Sequence, residues 1–394
     1  MPDSVLVLDI EPQTLAVVRS LGRAGFSVIL GRPHAVAKSE AECSRYCAEL
    51  WLHPDLADVS AFDNALASLL DSRPAIRLIF PVAEPGMEVL LELPCLQNRP
   101  IDVAMPPADL FQACRDKVRA NELAERAGLR VPESLVVYDF ESLQQAANAL
   151  RYPLIIKSVR SEALVHGRKA YLVHSDAEFN AVFPTWPAEH EDLLVQRYID
   201  GPMKSSQFVA SDGMLVGHCE VDVVRSMMPD GTGLGIEFES VPPAPDVLQA
   251  VRDFVHTHNY SGAGLLQFIR ESNSNELYFL ENNPRLGGGI AHSIGSGMDC
   301  PLLAVQAASG NAAALSEFDP EQASYRYHYR THWLRRDLSA WRSLRSEMSA
   351  RESAAWIWQT VRSFLRADGH VNWQWRDPWP AFLVYGRLIK RIFQ

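Results

Sequence analysis

The chain has 394 residues, of which 47% are hydrophobic and 22% charged, and its formal net charge is −11. This length allows two or three domains with a sizeable core, and the composition is ordinary for a soluble globular protein, which excludes the disordered and fibrous classes. No apolar run reaches the roughly 18 residues that a membrane-spanning helix needs, and the N-terminus, MPDSVLVLDIEP, lacks the basic start of a signal peptide.

The six cysteines are scattered along the chain, and only Cys43 and Cys47 lie close together. No second pair completes a zinc site, so reduced thiols in a cytoplasmic protein are the simplest interpretation.

The first part of the chain alternates short apolar runs with amphipathic segments. The runs at 4–9, 27–31, 75–84 and 101–106 predict strands, and QTLAVVRSLGRAGF between the first two predicts a helix. Such alternation predicts a parallel sheet and resembles a Rossmann-like half-domain. The first turn reads DIEPQT in place of G-x-G-x-x-G, so no dinucleotide site is predicted.

The pattern changes after residue 112. CRDKVRANELAERAGLRVPES (114–134) predicts a charged helix that ends at Gly128, and YPLIIKSVR (152–160) predicts a strand with Lys157 at its centre. A lysine inside an apolar strand is costly unless an anion pairs with it.

The next segments predict two antiparallel hairpins and a strand before them. DLLVQRYIDG (192–201) is typical of a strand that ends in a turn, and residues 206–222 predict a hairpin around Asp212-Gly213. AGLLQFIRE and LYFLENN predict a second hairpin, preceded by a helix within 240–259.

Three polar side chains converge at the end of that second hairpin. Strand side chains alternate, so Glu281 and Asn283 share a face, and a five-residue loop at 272–276 places Gln267 opposite Glu281. Carboxylate and amide oxygens suit Mg²⁺ or Mn²⁺. The alternative is a polar hairpin end that faces solvent.

Gln267 together with ENNPRLGGG (281–289) resembles the E/Q…E-x-N-P-R signature of ATP-grasp ligases, and glutamine at the first position resembles the carbamoyl-phosphate synthase branch. The resemblance implies that Gln267, Glu281 and Asn283 hold two Mg²⁺ (or Mn²⁺) ions against the phosphates of ATP. It also implies an α/β (α+β ATP-grasp) fold with four parts: a Rossmann-like pre-ATP-grasp domain (1–112), a small lobe and lid (113–190), a large lobe with the metal site (191–318) and a helical C-terminal extension (319–394).

The same resemblance assigns the residues that contact ATP. Lys117 and Lys157 are expected on phosphate oxygens, and VQRYIDG (195–201) resembles the hinge that grips adenine. The adenine- and ribose-binding candidates are the hinge residues Arg197, Tyr198 and Ile199, through their backbone, and Gln196 and Lys204, through their side chains. For each lysine a structural ion pair is the alternative.

The resemblance also suggests how the acid substrate is held. Arg285 is expected on the substrate carboxylate or the acyl phosphate, because the guanidinium fork matches both. Arg225, in VVRSMMPDGTGLG, is a second candidate on a substrate-side loop, and Glu84 is a candidate for an ammonium group. A structural ion pair, a surface hairpin and a surface acid are the respective alternatives.

The segment that corresponds to the family's glycine-rich flap over the triphosphate reads SVRSEALVHGRKAY (158–171), with Gly167 as its one glycine. Side chains are therefore expected to replace backbone N–H groups on the phosphates. The candidates are Arg160, Arg168 and Lys169.

The resemblance implies an enzyme that joins a small-molecule carboxylate to an amine through an acyl phosphate, releasing ADP and phosphate. An amino-acid or peptide ligase is favoured over biotin carboxylation and carbamoyl phosphate synthesis, because the chain has one synthetase unit. Carboxylate–thiol ligation and a non-catalytic nucleotide-binding scaffold stay open.

The C-terminal tail differs in charge from the rest. Residues 321–394 hold 13 basic and 6 acidic residues and seven of the nine tryptophans, and 352–367 and 377–393 predict helices. Three interpretations stay open: packing on the body or on a second subunit of a homodimer, peripheral contact with an anionic membrane, and docking of a pathway protein. The strongly acidic body argues against nucleic acid.

Overall fold

The computed structural model describes residues 3–161, 163–228, 233–310, 315–322 and 325–392. Within these ranges the strands form sheets of five, four and seven strands, with helices packed against them. The predicted mixed α/β class is therefore confirmed.

The N-terminal part forms the five-stranded sheet and its covering helices. Its elements are β1 (Ser4–Leu8), α1 (Thr14–Arg23), β2 (Ser27–Pro33), β3 (Cys47–His53), α2 (Val59–Ser72), β4 (Ile76–Pro81), α3 (Glu84–Leu90), β5 (Asp102–Val103) and α4 (Ala108–Arg115). The sheet is parallel throughout in the order β3-β2-β1-β4-β5. Because the order reverses between β1 and β4, the carboxyl ends of these two strands flank a crevice suited to a ligand.

The four-stranded sheet has its own small hydrophobic core. Its region contains α5 (Lys117–Arg126), β6 (Ser134–Val137), α6 (Phe140–Leu150), β7 (Leu154–Ser158), β8 (Tyr171–Val173), α7 (Asp176–Val182) and β9 (Leu193–Arg197). The order is β6-β9-β7-β8, antiparallel throughout. The helix predicted within 114–134 is present as α5 and ends before Gly128 as expected, but it begins later than predicted, since Asp116 ends α4 and caps α5 through its carboxylate.

The seven-stranded sheet is the largest. It contains β10 (Met203–Ser211), β11 (Met214–Ser226), β12 (Gly235–Ser240), β13 (Gly262–Arg270) and β14 (Leu277–Asn283), with α8 (Pro245–Thr257), α9 (Ile290–Ser296) and α10 (Cys300–Ala308) nearby. The predicted hairpin around Asp212-Gly213 joins β10 to β11, and both residues have positive φ.

The connection between β13 and β14 is one residue longer than predicted. It spans 271–276, and a bulge between Gln267 and Phe268 then shifts the register. The bulge restores the predicted pairing, so Gln267 lies opposite Glu281. The sequence prediction had the loop length wrong and the pairing right.

The C-terminal segment extends the large sheet as well as adding helices. It comprises β15 (Arg330–His332), α11 (Leu334–Leu344), α12 (Ala350–Arg366), β16 (Gly369–His370) and α13 (Trp379–Ile392). β15 pairs with β12, and β16 pairs with β15. The C-terminal extension is mainly helical, as predicted, and it also contains two short strands that the sequence prediction missed, because strands this short carry no periodic signal. Phe393, in the last predicted helix, lies outside the described residues.

A buried ion pair attaches this segment to the N-terminal sheet. Arg19 Nε on α1 lies 2.8 Å from Asp377 Oδ2, and the two side chains are 1% and 0% exposed. Asp377 also accepts hydrogen bonds from Ser44 Oγ and Arg45 N at 2.8 and 2.9 Å. Every donor that Asp377 needs thus comes from the N-terminal region, so the segment packs on the body of the same chain.

The same segment leaves aromatic side chains in solvent. Trp375, Trp379 and Phe382 are 84%, 67% and 55% exposed, and their rings join Trp373 in one cluster. Contact of this cluster with a membrane or a partner protein stays a prediction. No helix in the part of the chain that the structure describes has the length and hydropathy to cross a membrane.

Replacing Arg19 by methionine is expected to destabilise the protein by about 3–5 kcal/mol, because it leaves the Asp377 carboxylate buried and unpaired. Urea unfolding followed by circular dichroism measures the change. Arg73→Met is the matched control, since the Arg73–Glu49 pair is exposed and should contribute at most about 1 kcal/mol. Equal small effects of both substitutions would contradict the assigned role of the pair.

Candidate functional site

The three predicted metal-binding side chains lie on one patch at the end of the β13–β14 hairpin. Asn283 Nδ2 donates to Glu281 Oε1 at 2.9 Å, and Gln267 Nε2, opposite Glu281, donates to Ser205 Oγ at 3.2 Å. Each of the three keeps an oxygen that accepts no hydrogen bond from another described residue. Three hard oxygen donors on one half-buried patch fit a Mg²⁺ ion whose other ligands are water and phosphate.

The intervening residue faces the opposite way. Asn282 is buried, and its amide donates to Cys114 Sγ on α4 at 3.0 Å. No cluster of three or more His, Cys, Asp or Glu side chains that could hold a metal exists among the described residues. A metal at the hairpin would therefore depend on the two amide oxygens beside Glu281.

Lys157 lies on β7 and is 7% exposed. Its ammonium group donates to Gln196 Oε1 on β9 at 3.0 Å. Burial lowers the pKa of Lys157 to about 8, and the negative charge of Glu281 opposes that decrease. The negative charge of the hairpin carboxylate therefore acts on this lysine, which has no carboxylate within ion-pair distance among the described residues.

Lys117 is the first residue of α5 and reaches over the end of β7. Its ammonium group donates to the carbonyl oxygens of Ser158 and Arg160 at 2.9 and 3.0 Å. The backbone N–H of Lys117 also donates to Val159 O at 2.9 Å. Both predicted phosphate lysines thus lie at the same end of β7.

In the hinge after β9, two of the three backbone N–H groups predicted to contact adenine already have partners within the protein. The Arg197 N–H donates to Glu133 O at 2.9 Å, and the Tyr198 N–H donates to Pro153 O at 3.3 Å. Among the described residues no carbonyl accepts from the Ile199 N–H. The predicted backbone contact with adenine therefore narrows to Ile199 as donor.

The side chains around the hinge are engaged within the protein. Arg197 Nη1 lies 3.1 Å from Glu271 Oε1, and its guanidinium stacks over Tyr278. Lys204 Nζ lies 2.8 Å from Asp222 Oδ1. Gln196 is buried against Lys157, so these contacts favour positioning roles, and direct contact of Gln196 or Lys204 with a nucleotide stays a prediction.

Arg285 meets acids of the N-terminal sheet. Its Nε lies 3.2 Å from Glu84 Oε1, and Arg115 lies 4.0 Å from the other oxygen of Glu84. Partial desolvation raises the pKa of Glu11, and the positive charge of Arg285 acts in the opposite direction. Glu11 and Arg115 were missed in the sequence because neither belongs to a motif.

Asp9 fixes the loop that carries Glu84. Its buried carboxylate accepts from the N–H groups of Val82 and Ala83 at 3.1 and 3.0 Å, across the crevice between β1 and β4. Burial raises the pKa of Asp9 to about 7. A side chain at Gly86 would collide with the Asp9 carboxylate, which explains glycine there. In the sequence, the acid that directly follows the apolar run SVLVL was the signal that could have identified Asp9.

Arg225 is held by the C-terminal helices. Its guanidinium binds both carboxylate oxygens of Asp337 at 3.1 Å and lies over Trp356. Burial acts to raise the pKa of Asp337, but His332 and Arg225 together bring it below its usual value. These contacts favour a structural role for Arg225, and its predicted catalytic role has no support from them; part of its predicted loop, 229–232, lies outside the described residues.

The cationic side chains of the predicted phosphate flap (158–171) belong to exposed residues. Lys169 Nζ donates to Ser161 O at 2.7 Å, and Arg168 lies over Tyr171. Glu162, within the flap, lies outside the described residues. The roles of Arg160, Arg168 and Lys169 stay predictions.

Comparison with known proteins places this site in a family context. Residues 116–317, just over half of the chain, match the family model of the carbamoyl-phosphate synthase L chain, ATP binding domain. The chain is 22% identical over 351 residues to the C-terminal section of the carbamoyl phosphate synthase large chain of Methanopyrus kandleri, covering 82% of this chain and 59% of that protein. Across the first curated relatives the chain spans 10% to 59% of their length.

Two solved structures share the fold. One is the biotin carboxylase domain dimer of Hydrogenobacter thermophilus 2-oxoglutarate carboxylase, in complex with MgADP, ADP and bicarbonate, with a TM-score of 0.64, 18% identity and coverage of 84% of this chain and 73% of that one. The other is N5-carboxyaminoimidazole synthetase of Staphylococcus aureus, with a TM-score of 0.58, 16% identity and coverage of 78% and 77%. Both likenesses establish the fold alone.

Lys157 is expected to titrate near pH 8 in the folded protein, because burial disfavours its charged form. The unfolded chain holds more protons between about pH 8 and its ordinary pKa of 10.5, so Lys157 makes folding more favourable as pH rises through that window. NMR of protein labelled with ¹³Cε-lysine measures the titration, and Lys157→Arg assigns the signal.

The Gln196→Leu variant removes the acceptor of the ammonium group and is expected to lower the pKa of Lys157 further. Gln145→Leu is the control, since Gln145 lies on the exposed face of α6. A Lys157 titration near 10.5 in the unsubstituted protein would contradict the burial argument.

Proposed function

The chain belongs to the carbamoyl-phosphate synthase L chain ATP-binding domain family, and on that basis we propose that it is an ATP-dependent carboxylate–amine ligase. It activates a carboxylate as an acyl phosphate, forms an amide with an amine, and releases ADP and phosphate. The observation that carries this proposal is the arrangement of Gln267, Glu281 and Asn283 on one patch, with Arg285 two residues further along the chain and buried Lys157 within the influence of the Glu281 charge. The fold shared with the MgADP-bound biotin carboxylase domain supports it.

In the first step, a carboxylate oxygen of the acid attacks the γ-phosphorus of ATP. The new O–P bond forms as the bond to the β-phosphate oxygen breaks, and ADP leaves with the electron pair. Lys117 and Lys157 supply positive charge at the phosphates, which lowers the cost of charge that develops in the transition state. Protonated Lys157 is needed for this role.

Gln267, Glu281 and Asn283 would hold one or two Mg²⁺ (or Mn²⁺) ions, which neutralise phosphate charge when bound. Arg285 binds the acid through its fork and keeps it in line for transfer. Glu84 holds the Arg285 side chain in that position from the N-terminal sheet.

In the second step, the amine nitrogen attacks the acyl carbon. The C–N bond forms, the C–O bond to phosphate breaks, and phosphate leaves with the electron pair. Water must be kept from the acyl phosphate, and closure of the four-stranded sheet region over the hairpin would exclude it. The core of this sheet, formed by residues between Val137 and Val195, is separate from the main core and allows the sheet to move as a unit, whereas α5 packs on the main core.

A non-catalytic nucleotide-binding scaffold is the second candidate. The single glycine of the flap and the internal pairing of Arg197 with Glu271 favour it. Carboxylate–thiol ligation uses the same first step and differs only in the nucleophile. We also propose that this protein forms a homodimer, because the biotin carboxylase domain with the same fold is described as a dimer.

Phosphate release from Mg-ATP in the presence of pooled amino acids and small carboxylates tests the proposal, with and without hydroxylamine. A ligase should release phosphate with particular pools and form a hydroxamate when hydroxylamine intercepts the acyl phosphate. ATP binding without phosphate release in any pool would favour the scaffold. A protein that binds no ATP would contradict both.

Glu281→Ala is expected to abolish phosphate release, by at least about 100-fold, while the protein stays folded, because it removes the one carboxylate of the metal patch. Glu276→Ala, in the connection of the same hairpin, is the matched control and should keep most activity, since Glu276 pairs with exposed Arg130. The assay is phosphate release with the active pool, and circular dichroism checks folding. Undiminished activity of Glu281→Ala would contradict the metal assignment.

A further inference from the structure

A cavity of about 260 Å³ lies where the N-terminal sheet meets α11. The loop after β1, the segment after β2 and the start of α11 form its walls, so both ends of the chain contribute to it. Pockets for drug-sized ligands are roughly 300–1,000 Å³. This cavity therefore suits a small molecule.

The cavity is lined by more negative than positive charge. Glu11 and Glu40 are its carboxylates, and Arg335 of α11 is its cation. Arg335 Nη1 lies 3.7 Å from Glu40 Oε1, beyond hydrogen-bond distance. Among the described residues Glu11 has no cation within ion-pair distance, and its exposed side chain is open to solvent and to a ligand.

The cavity adjoins the acid-binding arginine. Asp9, two residues before Glu11, accepts a hydrogen bond at 3.0 Å from the N–H directly before Glu84, and Arg285 Nε lies 3.2 Å from Glu84 Oε1. Glu11 and Arg285 therefore lie at the same edge of the N-terminal sheet, whereas Arg335 belongs to α11.

We propose that this cavity binds the amine substrate as a free α-amino acid, with its ammonium group on Glu11 and its carboxylate on Arg335. The assignment of the bound molecule as the nucleophile rests on the proposed ligase function. The ammonium group gives one proton to the Glu11 carboxylate, and its nitrogen then attacks the acyl carbon beside Arg285. The C–N bond forms, phosphate leaves with the electron pair of the broken C–O bond, and the second nitrogen proton goes to the phosphate.

Calorimetric titration of the full chain with each of the twenty common amino acids, without ATP, tests the site directly. At least one amino acid should bind, and Glu11→Gln and Arg335→Met should each weaken that binding at least tenfold. Glu11→Gln keeps the size of the side chain, which keeps the test valid if Arg335→Met fails to fold. If no amino acid binds, or if both folded variants bind as tightly as the unsubstituted protein, the proposal is overturned.

The control variant is Arg252→Met. Arg252 lines a second cavity, of about 420 Å³, on α8, and its substitution should leave amino-acid binding unchanged. The amine that corresponds to the bound amino acid without its carboxylate tests the Arg335 end of the site separately from the Glu11 end. It should bind less tightly than the amino acid and lose no further affinity in Arg335→Met; a further loss would contradict the place given to the carboxylate.

Hydroxamate formation separates this proposal from the ligase function. Hydroxylamine replaces the amine, so hydroxamate reports the acyl phosphate alone, whereas the KM of the amino acid reports the cavity. Glu11-dependent binding without any hydroxamate would support the cavity and contradict the ligase. Hydroxamate with an amino-acid KM that both variants leave unchanged would contradict the cavity alone.

Discussion

The register of the β13–β14 hairpin is the constraint on which the candidate site depends. Side chains alternate between the faces of a strand, so a slip of one residue would move Glu281 and Asn283 into the core and bring Asn282 out. The bulge after Gln267 fixes the register at the point where the site begins. Burial of Asn282 against Cys114 holds the other face. The site is therefore set by packing on the side of the strand that no ligand would touch.

The second organising feature is the set of charged side chains that lie where the three sheets approach one another. Lys157 lies buried with an amide as its hydrogen-bond partner, where an anion would be the stronger one. On the other side of Arg285, the N-terminal sheet offers the carboxylates Glu84 and Glu11. A phosphate-rich ligand beside Lys157 and an ammonium group beside Glu11 would each pair a charge that has no ion-pair partner among the described residues.

Sequence reasoning reached the features that local periodicity and short motifs encode. The alternating class of the fold, the hairpin at Asp212-Gly213 and the pairing of Gln267 with Glu281 all follow from the period of strands and from turn chemistry. The family resemblance adds an order of motifs along the chain, and the family match is consistent with it. That order identified Lys117 and Lys157 as candidates for phosphate binding, and the position of Lys157 inside an apolar strand was a further signal; the role of both lysines stays a prediction.

What sequence reasoning missed depends on contacts between distant residues. Arg225 and Asp337 are 112 positions apart, and no pattern near Arg225 distinguishes a catalytic arginine from one that holds a helix. The strands β15 and β16 have three and two residues and exist only because β12 offers them an edge. The N–H groups of Arg197 and Tyr198 have partners on other segments, so the free hinge donor could be identified only in the folded chain.

The ion pair between Arg19 and Asp377 has a consequence for synthesis of the chain. Its partners are 358 positions apart, and translation proceeds from the N-terminus, where domains generally fold first. The five-stranded sheet can therefore form while the guanidinium of Arg19 is still hydrated, and the segment around Asp377 removes that water when it docks. Until Asp377 has been synthesised, α1 carries a hydrated charge at a position that is buried in the folded protein.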